Sequence, residues 1–64
     1  MRKFYYRYSA IYGWAVYDSV TNTPAWDAVA VICPLSLAVM LTEAKAALLC
    51  SRLNSAVRRG FILP

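Results

Sequence analysis

The sequence has no histidine, and its 64 residues include three acidic residues, two cysteines and two glycines. Without histidine, general acid–base catalysis and activation of Cys33 or Cys50 as a nucleophile lack their usual partner. Two cysteines make neither a disulfide framework nor a metal site, so we expect buried free thiols in a reducing cytosol. Gly13 and Gly60 cannot form a glycine-rich phosphate loop. We therefore expect a protein that is not an enzyme and that uses no cofactor or metal.

Long apolar runs are also missing. The most apolar stretch, residues 28–41, is interrupted by Pro34 and Ser36 and is shorter than the roughly 20 residues that span a bilayer. The first residues are basic and aromatic, whereas a secretory signal continues from basic residues into an apolar run. We expect a cytoplasmic protein, and a membrane-associated peptide is the least favoured hypothesis.

The sequence is strongly hydrophobic, at 61% of its residues, which is too high for a disordered chain. Its length allows a single domain, residues 1–64. At this size a core contributes only about 3–5 kcal/mol, and small proteins usually add disulfides, a metal or a partner. Because the first two are missing here, we expect a protein partner or self-association as a homodimer.

The N-terminal third has the period-2 alternation of a β-strand. The two sides of residues 3–10 are Phe4, Tyr6, Tyr8 and Ala10 on one, and Lys3, Tyr5, Arg7 and Ser9 on the other. Gly13 interrupts the pattern, and residues 14–18 read as a second strand of an antiparallel hairpin. Asp18 begins a turn in which Asn22 can adopt the left-handed conformation.

Residues 24–33 fit two structures. Thr23 could cap a short helix with Pro24 at its first position. That helix would place four side chains on one face: Trp26, Val29, Ala30 and Cys33. The β-branched residues of the same segment instead favour a third strand. We favour the helix.

The C-terminal segment predicts an amphipathic helix that begins after Ser36 or Thr42 and ends at Gly60. Its core-facing stripe is Ala46, Leu49, Cys50, Leu53 and Val57. If the helix begins at Ser36, Leu37, Met40 and Leu41 join Leu48 on the outer face and need a cover. The predicted fold class is α+β: a small antiparallel hairpin or three-stranded sheet packed on the C-terminal helix, with a short helix favoured at 24–33.

Several segments resemble short proteins of phages and mobile elements that combine an aromatic hairpin with a C-terminal helix. The similarity lies in the runs 12–18, 21–25, 41–44 and 52–54. Some proteins of this type are anti-CRISPR inhibitors. The resemblance implies a small protein in the bacterial host cytoplasm that inhibits a CRISPR–Cas complex by occluding a protein surface. Such inhibitors share no common motif, so the resemblance assigns no functional residue.

The excess of aromatic and arginine side chains favours protein–protein contact, since these residues dominate interface hot spots. The resemblance to phage and mobile-element proteins implies a Cas effector subunit as the candidate partner. Basic residues lie near both ends of the chain, which suggests a contact surface where the ends meet. Ordinary solubility charge on two exposed elements is the favoured interpretation of the same pattern. The predicted partner-binding residues are Lys3, Tyr5, Arg7 and Tyr12 on the hairpin, and Lys45, Leu48, Arg52 and Arg59 on the helix.

A nucleic-acid-binding module is the alternative hypothesis. Basic residues interleaved with aromatic residues on a strand can form a stacking platform for single-stranded nucleic acid. Lys3, Tyr5 and Arg7 share one side of the first predicted strand, and Trp14 or Tyr17 would lie opposite them. We rank nucleic acid below protein as a partner.

Overall fold

The aromatic N-terminal third forms the predicted hairpin in the computed structural model, which describes residues 2–64. The chain forms a three-stranded antiparallel sheet and two helices. In chain order the elements are β1 (Phe4–Ser9), β2 (Gly13–Asp18), β3 (Thr23–Pro24), α1 (Trp26–Ile32) and α2 (Glu43–Arg58). The predicted α+β class, with the sheet packed on a C-terminal helix, is confirmed.

The turn between β1 and β2 depends on Gly13. Ser9 lies opposite Gly13 in the antiparallel register, so residues 10–12 connect the strands. Gly13 has a φ of 63°, in the left-handed region where a Cβ atom is unfavourable. Further along the ladder Tyr5 lies opposite Tyr17. This register places the tyrosines of the two strands side by side.

β2 is the central strand because two segments bind its second edge. β3 pairs with its end at Tyr17 and Asp18. Closer to its start, the Val16 N–H donates to the Ala38 carbonyl at 3.0 Å, and the Val16 carbonyl accepts from Ala25. β3 also corrects one expectation: Thr23 and Pro24 belong to a strand, and do not cap and open a helix.

The favoured helix within residues 24–33 is confirmed as α1, but of its predicted shared face only Val29 and Cys33 contact the core. The buried side chains are Ala28 and Val29, whereas Trp26 and Ala30 are exposed. The N-cap is Ala25, whose N–H donates to the carbonyl of Val16 at 2.9 Å. The sheet therefore sets the direction of the first turn, and this contact is invisible to helical periodicity.

Thr42 is the N-cap of α2, so the alternative start at Ser36 is wrong. Its Oγ1 accepts from the Lys45 N–H at 3.1 Å. At the other end Gly60 has a φ of 89°, and its N–H donates to the carbonyl of Val57. This is the predicted glycine cap. The short apolar run of Leu37, Met40 and Leu41 therefore precedes the helix, and is not part of its outer face.

The sheet is covered on both faces. α2 packs on one face through a core that includes Phe4, Val16, Leu49 and Leu53. The predicted stripe of α2 is buried at Ala46, Leu49, Cys50 and Leu53, while Val57 is half-buried and Ala56 is buried as well. On the other face a smaller cluster joins Ala15, Tyr17 and Val39, with Tyr5 and Tyr12 against it. The loop before α2 thus covers the sheet face that α2 does not contact.

Candidate functional site

The acidic and sulfur-bearing side chains are dispersed. Within residues 2–64 no three His, Cys, Asp or Glu side chains lie close enough to hold a metal ion. Burial raises the pKa of the Cys50 thiol, against the lowering effect of its contact with the Asn54 amide. This thiol donates to the Phe4 carbonyl at 3.2 Å. In the same described part of the chain, neither helix combines the length and hydrophobicity of a bilayer span.

Three of the four predicted hairpin residues, Tyr5, Arg7 and Tyr12, project from the sheet face turned away from α2, where they surround Tyr17. The fourth, Lys3, lies beside residues of α2. The rings of Tyr5 and Tyr17 stack with their centroids 5.3 Å apart. The guanidinium carbon of Arg7 lies 4.6 Å from the Tyr17 ring centroid. Only 2% of Tyr17 is exposed. Its ring is therefore held within the molecule and is not open to stacking by a nucleic-acid base.

The predicted helix residues form an exposed stripe on the outer side of α2. Its members are Lys45, Leu48, Arg52 and Arg59. One Nη of Arg52 lies 3.7 Å from the Cys33 sulfur, just past the end of α1. This stripe and the group of Tyr5, Arg7 and Tyr12 lie on opposite sides of the molecule, because α2 and the sheet core separate them. One flat partner surface cannot contact both sets.

The outer edge of β1 is the feature that sequence reasoning missed. The Lys3 carbonyl accepts from the Ser19 N–H at 2.9 Å, so Lys3 points its backbone groups toward the β2 side. The Phe4 N–H and carbonyl point the other way, to the Asn54 side-chain amide at 2.8 and 3.0 Å. Since these directions alternate along a strand, the backbone groups of Tyr6 and Tyr8 also point outward. Among residues 2–64, β1 pairs with β2 alone.

Three aromatic rings accompany this edge. The Tyr6 and Tyr8 rings lie 6.1 and 5.9 Å from the Trp14 ring, measured between centroids. Tyr6 is 39% and Tyr8 63% exposed, whereas Phe4 on the same side of the strand is buried. We call the backbone of Tyr6 and Tyr8, together with these three rings, the open edge. Alternation correctly placed Tyr6 and Tyr8 beside Phe4, but a period of two does not show where along a strand the cover ends.

A cleft of about 290 Å³ lies where the basic ends of the chain meet. Its lining residues are Arg2, Lys3, Asn54, Val57 and Arg58. We call it the basic cleft. A surface where the basic ends meet was the less favoured interpretation of the charge pattern, and Lys3 is the predicted site residue that lines the cleft. Arg58 lines it in place of the predicted Arg59, because the helical turn directs neighbouring residues to different sides.

The chain was compared with protein-family models, curated proteins and solved structures, and no match was found in any of the three. The functional assignment therefore depends on the geometry of this molecule. Its two distinctive surfaces are the open edge and the basic cleft.

Proposed function

We propose that this chain is a small non-catalytic binding protein whose open edge pairs with an extended segment of a partner protein. The outward backbone groups of Tyr6 and Tyr8 carry the proposal. An unpaired strand edge offers a row of N–H and carbonyl groups to any strand that approaches it. Strand addition of this kind gives affinity through main-chain hydrogen bonds and specificity through flanking side chains.

The rings of the open edge supply the second component of binding. Tyr6, Tyr8 and Trp14 already pack against one another before a partner arrives. Tyrosine and tryptophan are enriched among residues that dominate interface energies. Because the rings are already arranged, less conformational entropy is lost on binding than with flexible side chains.

We further propose that the partner is a subunit of a CRISPR–Cas complex in the cytoplasm of a bacterial host cell, and that binding inhibits the complex by occlusion. This part of the proposal is supported by the resemblance to short phage and mobile-element proteins. The net charge of +4 argues for a grip on a protein surface or guide RNA, and against mimicry of DNA.

The experiment compares two substitutions at one position of the open edge. Tyr6→Pro removes the outward N–H while leaving the ladder between β1 and β2 intact, since proline is tolerated where an edge N–H faces solvent. Tyr6→Thr removes the ring and keeps the N–H. Binding to a purified Cas effector complex is measured by calorimetry, and circular dichroism verifies that both variants are folded.

We expect Tyr6→Pro to weaken binding by about tenfold or more, and Tyr6→Thr by a smaller factor. Equal binding by wild type and Tyr6→Pro would show that the open edge is not the contact. If the wild-type protein binds no effector complex and leaves the activity of the CRISPR–Cas complex unchanged, the inhibitor assignment is wrong.

A nucleic-acid-binding function is the second candidate, favoured by the two cations Lys3 and Arg58 that line the basic cleft. It predicts binding to a single-stranded oligonucleotide that weakens steeply as salt concentration rises. It also predicts weaker binding by Arg58→Gln, which removes one of these cations. Fluorescence anisotropy over a salt series tests it, and binding that is absent or insensitive to salt rejects it.

A further inference from the structure

We infer that the partner segment is acidic, and that a carboxylate next to its paired strand occupies the basic cleft. The inference rests on the proposed function, because it names the chemistry of the segment that pairs with the open edge. It assigns the cleft a ligand class: the side-chain or terminal carboxylate of an extended peptide.

The basic cleft begins where the open edge ends. Asn54 marks this boundary, because its amide occupies both outward backbone groups of Phe4 and also forms part of the cleft wall. A strand paired with Tyr8 and Tyr6 must leave β1 at this point, since Phe4 has no outward group left to pair with. Its next residues then pass Asn54 and reach the cleft. At about 3.3 Å per residue, Tyr6 and Lys3 are roughly 10 Å apart along β1.

The cations that line the cleft differ in whether they make an ion pair within the molecule. Arg2 makes an ion pair with Asp18 at 2.6 Å. Among the residues that the structure describes, Lys3 and Arg58 make no ion pair. Three cations therefore line the cleft, two of them without an ion pair, and its lining residues include no acidic side chain. A carboxylate is the complementary group, and a guanidinium can bind it through two parallel hydrogen bonds.

Other occupants fit less well. A second copy that paired its own Tyr8 and Tyr6 with Tyr6 and Tyr8 would place the two Arg7 residues directly opposite each other, where like charges repel. The acidic residues available for exchange, Asp27 and Glu43, lie on α1 and α2 and not on a strand. A nucleic acid could place a phosphate in the cleft, but it has no peptide N–H and carbonyl groups to pair with Tyr6 and Tyr8. An acidic peptide satisfies both surfaces at once.

The test uses a labelled peptide of alternating threonine and valine that ends in two C-terminal glutamates. Paired antiparallel to β1, its C-terminal end lies toward Phe4 and the basic cleft. A matched peptide carries glutamines in their place and an amidated C-terminus. Each is titrated by fluorescence anisotropy into the wild-type protein and the variants Arg58→Gln, Arg59→Gln and Tyr6→Pro. Arg59→Gln is the control, since it removes the same charge from a neighbouring residue that does not line the cleft.

We expect the glutamate peptide to bind about fivefold more tightly than the glutamine peptide, the factor that a partly screened ion pair provides. Arg58→Gln should remove this difference, whereas Arg59→Gln should change it by less than about twofold. Tyr6→Pro should weaken both peptides. The combination of these results assigns the carboxylate to the cleft and the strand to the open edge.

The outcomes separate the two claims. If Arg58→Gln and Arg59→Gln reduced the preference for the glutamate peptide equally, the inference would be overturned, because the attraction would come from the overall charge and not from the cleft. The proposed function would still stand if Tyr6→Pro weakened binding of the glutamine peptide. If Arg58→Gln weakened binding of the glutamate peptide but Tyr6→Pro weakened binding of neither peptide, the proposed function would be overturned and the cleft would be a simple anion site. Oligothymidylate binding that depends on Arg58 and exceeds that of the glutamate peptide would contradict an acidic peptide as the occupant.

Discussion

Asp18 illustrates how single residues connect distant parts of this small chain. One carboxylate oxygen accepts from Arg2, and the other accepts from the Val20 N–H at 2.9 Å in the turn after β2. Arg2 in turn donates to the Leu63 carbonyl at 2.7 Å. A single buried carboxylate thus joins the start of the chain, a turn and the C-terminal segment.

Asp18→Asn should therefore destabilise the fold while leaving the turn intact. The asparagine oxygen can still accept from the Val20 N–H, but the charge that pairs with Arg2 is lost. We expect the free energy of unfolding to fall by about 1–2 kcal/mol, measured by urea denaturation. Asp27→Asn changes the net charge equally at an exposed position of α1, and should change stability by less than about 0.5 kcal/mol. Equal effects of the two substitutions would show that the Arg2 contact does not stabilise the protein.

Cys50 should make stability depend on pH in the alkaline range. Burial raises the pKa of this thiol above its ordinary value of 9.0. As pH rises, the unfolded chain therefore loses its proton first, so the stabilisation from Cys50 is complete below pH 9 and declines above it. Denaturation of wild type and Cys50→Ala at pH 7.5 and 10 tests this: the stability difference between them should shrink at the higher pH. A constant difference would contradict the pKa shift.

At the scale of elements, α2 contributes more buried residues to the core than any other helix or strand. Leu49 and Leu53 are fully buried, and the helix packs on both long strands. Leu48 is the neighbour of Leu49 in sequence and is 45% exposed. A comparison of Leu48 with Leu49 therefore distinguishes the effect of core packing from that of surface exposure within one helical turn.

Leu49→Ala should lower the free energy of unfolding by about 3 kcal/mol, since it leaves a cavity in the core. Leu48→Ala removes the same atoms from the outer face and should cost less than about 1 kcal/mol. Thermal and urea denaturation provide the comparison. Similar losses for both variants would mean that the outer face of α2 is covered in solution, as in a homodimer.

Elements with local signals were predictable from sequence. Alternating aromatics specified β1, Asn22 adopts the expected left-handed turn conformation, and Thr42 and Gly60 bound α2. The buried face of α1 was not predictable, because Ala25 is oriented by its hydrogen bond to Val16 in the sheet. Local patterns contain no information about such contacts between distant residues.

At the scale of the whole molecule, the site was harder to predict than the fold. The predicted Tyr5 and Arg7 do lie together, but they pack on Tyr17 and bury it. The open edge instead follows from where α2 meets β1, and Asn54 determines that position across about fifty residues of chain. No periodicity specifies which end of a strand a helix will cover. The site is a product of tertiary packing.

The proposed function requires that the outer edge of β1 is available for pairing. Amide hydrogen exchange of the purified protein, resolved by NMR, tests it most directly. We expect the Tyr6 and Tyr8 amides to exchange rapidly, while the inward-pointing Tyr5 and Arg7 amides are protected by the ladder with β2. Protection of Tyr6 and Tyr8 equal to that of Tyr5 and Arg7 would contradict it, because the edge would then already be covered.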